Sequence, residues 1–450
     1  MRGVPQSSRV NPAYQPNCKF YIGVPVLGPV VMEVSSNPLA YKDIIYPHPY
    51  EDSLITFLHP LGDKEAFMDK LKPLNYISSD IRATLLSFGF RTTAGFFTFD
   101  MTTRTEEALY FPADLARLLM YGAGEGETYT LDGMGADITA FDEIAVGWSH
   151  SIASKWQVGA RAKMLFGIGD ITTQRSNLSL STSEELWSLK SDMMVSASLP
   201  FAEVTYDEDG MIEDIEIDDF SQLNPGQIPR YVFNTRNAGF AVDLGVNYRP
   251  MDQLLISASA VDLGYISWKD GVHDATHSTE YEYSGVELNP FDFSDDYTMG
   301  DYLDSVFTQM GDSLDSFLQF TQGRAYSKRL NSKLYIGASY SVTPHINFGL
   351  LSRTDFLRHH IAQQITASAN FSAGRFLNFT LSYTYKDSYL KNIGAGLSFL
   401  AGPLNIYVIS DNALNAVFWP QETHSVNFWF GMNFMFGCKP NIDGDRPLIY

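Results

Sequence analysis

The chain has 450 residues, 45% of them hydrophobic and 14% aromatic, with a formal net charge of −21. A mean hydropathy of −0.11, with no run near the roughly 18 apolar residues that a spanning helix needs, excludes both a disordered chain and a helical membrane protein. The acidity excludes nucleic acid as a partner, because phosphates call for Lys and Arg. No composition break divides the chain and no solenoid-length repeat is visible, so a single large closed sheet is the expected unit.

In chain order, period-2 alternation predicts strands at about 19–34, 80–91, 94–103, 141–150, 155–170, 237–249, 252–266, 329–342, 346–356, 361–372, 376–386, 390–400, 403–411 and 423–437. Each has two faces. Val158, Ala160, Ala162, Met164 and Phe166 oppose Arg161, Lys163 and Gly167; Phe240, Val242, Leu244, Val246 and Tyr248 oppose Asp243, Gly245 and Asn247. The last strand is the clearest: Val426, Phe428, Phe430, Met432, Phe434 and Phe436 share one parity, and Asn427, Gly431 and Asn433 the other. Soluble sandwiches also alternate, yet an apolar face this aromatic fits lipid outside and a polar lumen inside.

The connections sort by length. Short turns fall around Thr92, Ile152, Pro250, Pro344, Gly374 and Gly402, all on one side together with both termini. Long loops, about 35–79, 104–140, 171–236 and 267–328, fall on the other side. Short periplasmic turns and long external loops mark bacterial outer-membrane barrels. The expected fold is therefore all-β: a closed antiparallel transmembrane barrel of about fourteen strands over 19–437, with a plug at 1–18, helical insertions in the external loops and a periplasmic tail at 438–450. The N-terminus carries no signal-peptide core, so a barrel implies a processed or truncated chain. Cys18 and Cys438, the two cysteines, are either unpaired or, since closure brings both to the periplasmic side, bridged.

Residues 295–320 space Met299, Leu303, Phe307, Met310, Leu314 and Phe317 as one helical stripe, which either packs on its own loop or gathers apolar ligand at the external mouth. A shorter helix around 112–121, with Leu115, Leu118 and Leu119, offers the same choice. Inside such a barrel, Arg161 and Lys163 are expected to face the lumen beside Asp243 and Asn247, either as a structural pair or as a constriction. The acidic stretch 203–219, with Asp207, Glu208 and Asp209, lacks EF-hand spacing and is expected to be a solvated loop rather than a metal site. His273 and His277 are placed in a loop, which argues against a metal pair. No phosphate loop, HExxH, CxxC or GxSxG is present, so no catalytic residues, cofactor or metal are assigned and an enzyme is not expected.

Asn11, Pro12 and Ala13, just before the first predicted strand, resemble the NPA box in the hatch of long-chain fatty-acid transporters, fourteen-stranded outer-membrane barrels plugged from the N-terminus. More widely, VPQSSRVNPAYQP, YISSDIRATLLSFGFR, GFAVDLGVNYRP, LLISASAVDLGYISW and GPLNIYVISDNAL resemble a family of uncharacterised Bacteroidota outer-membrane proteins. That family is similar to the fatty-acid transporters and to the shuttle barrel of type IX secretion. The resemblance implies a barrel in the outer membrane with the lipid bilayer as partner. It implies either passive uptake of a small hydrophobic or amphipathic ligand, or a scaffold that docks an outer-membrane protein through its loops. A membrane-embedded hydrolase is a third, weaker reading. No ligand residues of the transporters map onto this sequence.

Overall fold

The computed structural model describes residues 4–438 except 26–27, 38, 49, 51, 57–58, 60, 154, 184–185, 207–211, 218–232, 284–318, 375, 387–388 and 414–424. Its frame is a ring of strands. In chain order these are β1 (in two pieces, Phe20–Gly23 and Val30–Ser36), β2 (Leu74–Thr92), β3 (Gly95–Pro112), β4 (Gly135–Ile152), β5 (Trp156–Thr182), β6 (Ala238–Met251), β7 (Leu254–Trp268), β8 (Ser332–Thr343), β9 (Ile346–Phe356), β10 (Ile361–Ala373), β11 (Leu377–Lys386), β12 (Tyr389–Ala401), β13 (Leu404–Ser410) and β14 (Ser425–Phe436). Each pairs antiparallel with the next, and β14 pairs with both pieces of β1, through Phe20↔Phe436 and Val30↔Phe430. The ring is closed with fourteen strands, so neither its first nor its last strand is an edge.

The alternation that predicts the strands also orients them. On β9, Phe348 and Leu350 are 50% and 56% exposed on the outside, whereas Asn347, on the opposite parity, is 1% exposed inside. The same inversion recurs on β12, with Leu397 and Phe399 outward and Ser398 inward, and on β14, with Phe428 and Phe434 outward and Asn433 inward. A water-soluble protein buries the opposite set. Asp142 breaks the rule: it lies on the outward parity of β4 but is buried, accepting a hydrogen bond from Thr103 Oγ1 at 2.6 Å.

The short hairpins β2–β3, β4–β5, β6–β7, β8–β9, β10–β11 and β12–β13 share one end of the ring. Two turn on a glycine with positive φ, Gly374 and Gly402, a conformation that a Cβ disfavours. At the other end β2 to β5 run well past their predicted limits. Outward positions there, such as Glu107 and Arg175, are polar, so the period-2 contrast that marks a strand is lost. Beyond the ring the distal half of β5 pairs with the strand Trp187–Ser198, and that with the strand Val272–Tyr283. The helix Ala113–Tyr121 follows β3 directly; its Leu115 and Leu118 pack with Leu178, Leu189 and Met193 of this extension, while Leu119 is 73% exposed. His273 and His277 lie on the strand Val272–Tyr283 rather than in a loop. At about 3.3 Å per residue they stand roughly 13 Å apart, too far to share a metal.

Candidate functional site in the barrel lumen

The chain enters the barrel from the short-turn end. A 3-10 turn, Pro5–Arg9, leads into Asn11, Pro12 and Ala13, where Asn11 Oδ1 accepts the Ala13 N–H at 2.9 Å and the Asn11 carbonyl accepts the Tyr14 N–H at 2.9 Å. Such an Asx turn is what Asn before Pro favours, because Pro fixes φ and leaves no donor of its own. Nearly every residue from Val4 to Pro16 is buried, although none belongs to a strand.

The segment reaches opposite walls. Gln6 exchanges hydrogen bonds with Asn433 of β14 at 2.5 and 3.2 Å, whereas the Val10 carbonyl accepts from Ser259 Oγ of β7, half-way round the ring, at 2.7 Å. Arg9 donates to Asp100 at 2.8 Å and to Thr84 at 2.7 Å, and Asn11 Nδ2 donates to Asn247 Oδ1 at 2.9 Å. Arg91 holds the exit of the segment through Gln15 Oε1 and the Pro16 carbonyl. Cys18 and Cys438 are joined as a disulfide at the base, two residues before β1 and two residues after β14.

Farther along the lumen lies a network of buried charges. Arg161 donates to Asp243 at 3.3 Å and to Asp100 at 2.8 Å. Lys163 contacts Asp243 at 2.8 Å and Asp262 at 2.6 Å. Of the four lumen residues singled out by sequence, Arg161, Lys163 and Asp243 therefore form one cluster, and Asn247 holds the N-terminal segment instead. The centre of the network is Arg104, 2% exposed, which contacts Glu106 at 2.5 Å, Glu143 at 3.1 Å and Asp262 at 2.9 and 3.1 Å. Buried charges survive only when paired in this way.

Sequence reading missed Arg104 and Asp262. Arg104 falls where the predicted strand was already ending. Asp262 shares strict parity with the outward Ile256, Ala258 and Ala260, but a bulge between Val242↔Leu263 and Leu244↔Ala260, with Asp262 at φ 61°, turns its carboxylate inward. Two further pairs cross the lumen: Lys333 of β8 to Asp80 of β2 at 2.9 Å, and Arg353 of β9 to Glu33 of β1 at 3.2 Å.

Beyond the network, toward the long loops, a cavity of 670 Å³ opens. Glu106 and Asn331, hydrogen-bonded at 2.8 Å, lie on its inner side; Trp268, Leu330 and Phe356 give it an apolar wall, and Arg358 a charged one. His359 beside it is held below the ordinary imidazole value chiefly by burial, with Asp137 opposing, so it is neutral at pH 7 and its 3.6 Å approach to Asp137 is not an ion pair there. The predicted apolar helix with Met299, Leu303, Phe307, Met310, Leu314 and Phe317 lies outside the described residues, as do Asp207, Glu208 and Asp209; the acidic stretch on either side of these three, expected to be a loop, pairs as an antiparallel hairpin of the strands Ala202–Tyr206 and Ile212–Ile217. Among the described residues no three His, Cys, Asp or Glu gather as a metal site.

The sequence matches a family model, DUF5723, described as a family of unknown function, over residues 12–411. The chain belongs to that family. No curated relative matches it by sequence. Among solved structures, the toluene transporter TbuX of Ralstonia pickettii is 8% identical, with 96% of this chain and 94% of that one covered and a TM-score of 0.43. A FadL homologue of Pseudomonas aeruginosa is 9% identical, with 98% and 95% covered and a TM-score of 0.43. The toluene transporter TodX of Pseudomonas putida is 9% identical, with 96% and 94% covered and a TM-score of 0.41. Similarity at this level does not fix what this DUF5723 member carries.

Proposed function

We propose that this chain is an outer-membrane barrel for passive uptake of small hydrophobic or amphipathic molecules, in which residues 1–18 act as the hatch and 438–450 form a periplasmic tail. The carrying observation is the 670 Å³ cavity at the long-loop end, which joins an apolar wall (Trp268, Leu330, Phe356) to charged side chains. Ligand enters there, and release of the Asn11 to Ala13 turn opens the far side. The charge network between them is the constriction, and it restricts passage to small molecules. No nucleotide or other energy source is invoked.

The membrane part of this reading rests on the outward apolar belt. Leu350→Arg, in the middle of β9, is expected to destabilise the barrel in phospholipid vesicles by about 2–4 kcal/mol, read from urea unfolding. A change of a few tenths would place that face in water.

One observation favours a second reading, a scaffold that docks an outer-membrane protein: the Lys333–Asp80 and Arg353–Glu33 pairs span the lumen, while Tyr50, Leu54, Leu119 and Tyr121 expose apolar surface on the loops. Native mass spectrometry with lipid extraction, on protein purified gently from its own membrane, separates the two. Co-purified small hydrophobic ligand, lost when Trp268 and Leu330 are both changed to Asp, supports uptake. A stoichiometric protein partner without ligand would replace uptake by scaffolding.

A further inference from the structure

The register of β5 against β6 stacks three inward pairs above one another: Gln157↔Asn247, Gly159↔Gly245 and Arg161↔Asp243. The lowest rung bonds Asn11, through Asn247 Oδ1 at 2.9 Å, and Asn247 Nδ2 is itself held by Gln157 Oε1 at 3.3 Å. The middle rung has no side chains, and the Pro12–Ala13 backbone occupies the space. A Cβ at Gly159 would lie 2.6 Å from the Ala13 nitrogen, and one at Gly245 would lie 2.9 Å from the same atom. At Gly159 the obstacles are main chain, which has no rotamer with which to yield; at Gly245 the nearest obstacle is Asn11 Oδ1, which is tied down by the hydrogen bond it accepts from the Ala13 N–H. The upper rung reaches the segment from the other side, because Arg161 and Arg9 share the Asp100 carboxylate, each at 2.8 Å. Two glycines directly opposite each other in a barrel wall weaken it, since each loses a side chain that could pack. Here the loss coincides with a place where a second backbone lies against the wall.

We propose that this ladder is a receptor site for the Asn11–Pro12–Ala13 turn, with Asn247 reading the Asn side chain, the glycine pair admitting the backbone and Arg161 with Asp100 fixing Arg9, and that filling it is what holds the lumen shut. The last step rests on the hatch role proposed above; the recognition itself does not. The glycine pair sets the specificity: any other residue at either position excludes the turn while leaving strand pairing intact.

Hydrogen exchange with mass spectrometry on the full chain in detergent tests it. In Gly159→Ala and in Gly245→Ala, amides of residues 10–16 are expected to exchange at least about tenfold faster than in the wild type while β5 and β6 stay protected. Gly349→Ala, on β9, where a Cβ would press on the rotatable Ser368 hydroxyl and otherwise make an ordinary contact with the Ala338 carbonyl, is expected to leave residues 10–16 as protected as before. Asn247→Ala adds no bulk and is expected to loosen the same peptide, which guards against a glycine variant that fails to fold. Unchanged protection of 10–16 in folded Gly159→Ala, Gly245→Ala and Asn247→Ala would overturn the receptor site. Ion conductance of the same variants in planar bilayers needs no ligand and reads the closure step alone. Seat variants that free the turn and conduct no more than the wild type would overturn closure by this site and leave the recognition standing.

Discussion

Arg104→Met is expected to destabilise the folded barrel by about 3–5 kcal/mol, the cost of removing one partner from a buried ion cluster. Arg104 is surrounded by Glu106, Glu143 and Asp262, all within 3.1 Å. Met fills a similar volume, so little of the loss comes from a cavity; it comes from three carboxylates that have left water and lost a common counter-ion. Lys163 and Asn331 still contact Asp262 and Glu106 but cannot replace a planar, multiply donating guanidinium. Urea unfolding in vesicles, followed by tryptophan fluorescence, measures the effect. Lys190→Met provides the contrast: its pair with Glu280 at 3.0 Å is more than half exposed on the cation side, and exposed pairs are worth about 0–1 kcal/mol. Adding Asp262→Asn to Arg104→Met should recover part of the loss, because it removes one of the stranded charges. An Arg104→Met barrel within about 1 kcal/mol of the wild type, the worth of an exposed ion pair, would mean that the carboxylates are hydrated and the lumen is wet at that level.

Breaking the Cys18–Cys438 bridge, by changing both residues to Ser, is expected to cost about 2–5 kcal/mol. The bridge spans 420 residues of sequence, and loop-closure entropy grows with the length of the loop that a cross-link closes. It also sits at an interrupted seam of the ring. β1 is split, pairing with β14 over Phe20 to Gly23 and again over Val30 to Ser35, whereas β5 pairs with β4 almost continuously from Ile152↔Trp156 to Asp137↔Thr172. Reduction of the wild type by dithiothreitol should reproduce the loss in the unfolding midpoint, and exchange of the Phe20–Gly23 amides should accelerate before that of any other strand. Equal stability with and without the bridge would show that the seam's hydrogen bonds close the ring unaided.

Much of this protein is written in its period-2 pattern. Alternation along the chain, cleanest over its last third, with phenylalanines at 428, 430, 434 and 436 on one parity and Asn427 and Asn433 on the other, determined strand number, strand order and which face turns outward. A closed antiparallel ring with short hairpins at one end leaves little else to choose. The inward placement of Arg161, Lys163 and Asp243 was legible for the same reason, as was the proximity of Cys18 to Cys438, which follows from closure alone. What tertiary structure decided lies where strict alternation fails or where contacts cross the lumen. Asp262 reaches Arg104 because a bulge reverses its parity, Asn247 serves the N-terminal turn rather than the charges beside it, and Gly159 meets Gly245 through a register that no local pattern encodes. A strand's faces are set by residues two apart in the same segment, whereas the far wall of a barrel is supplied by segments a hundred or more residues away; only closure of the ring brings Lys333 to Asp80 and the Asn11–Ala13 turn to its two glycines.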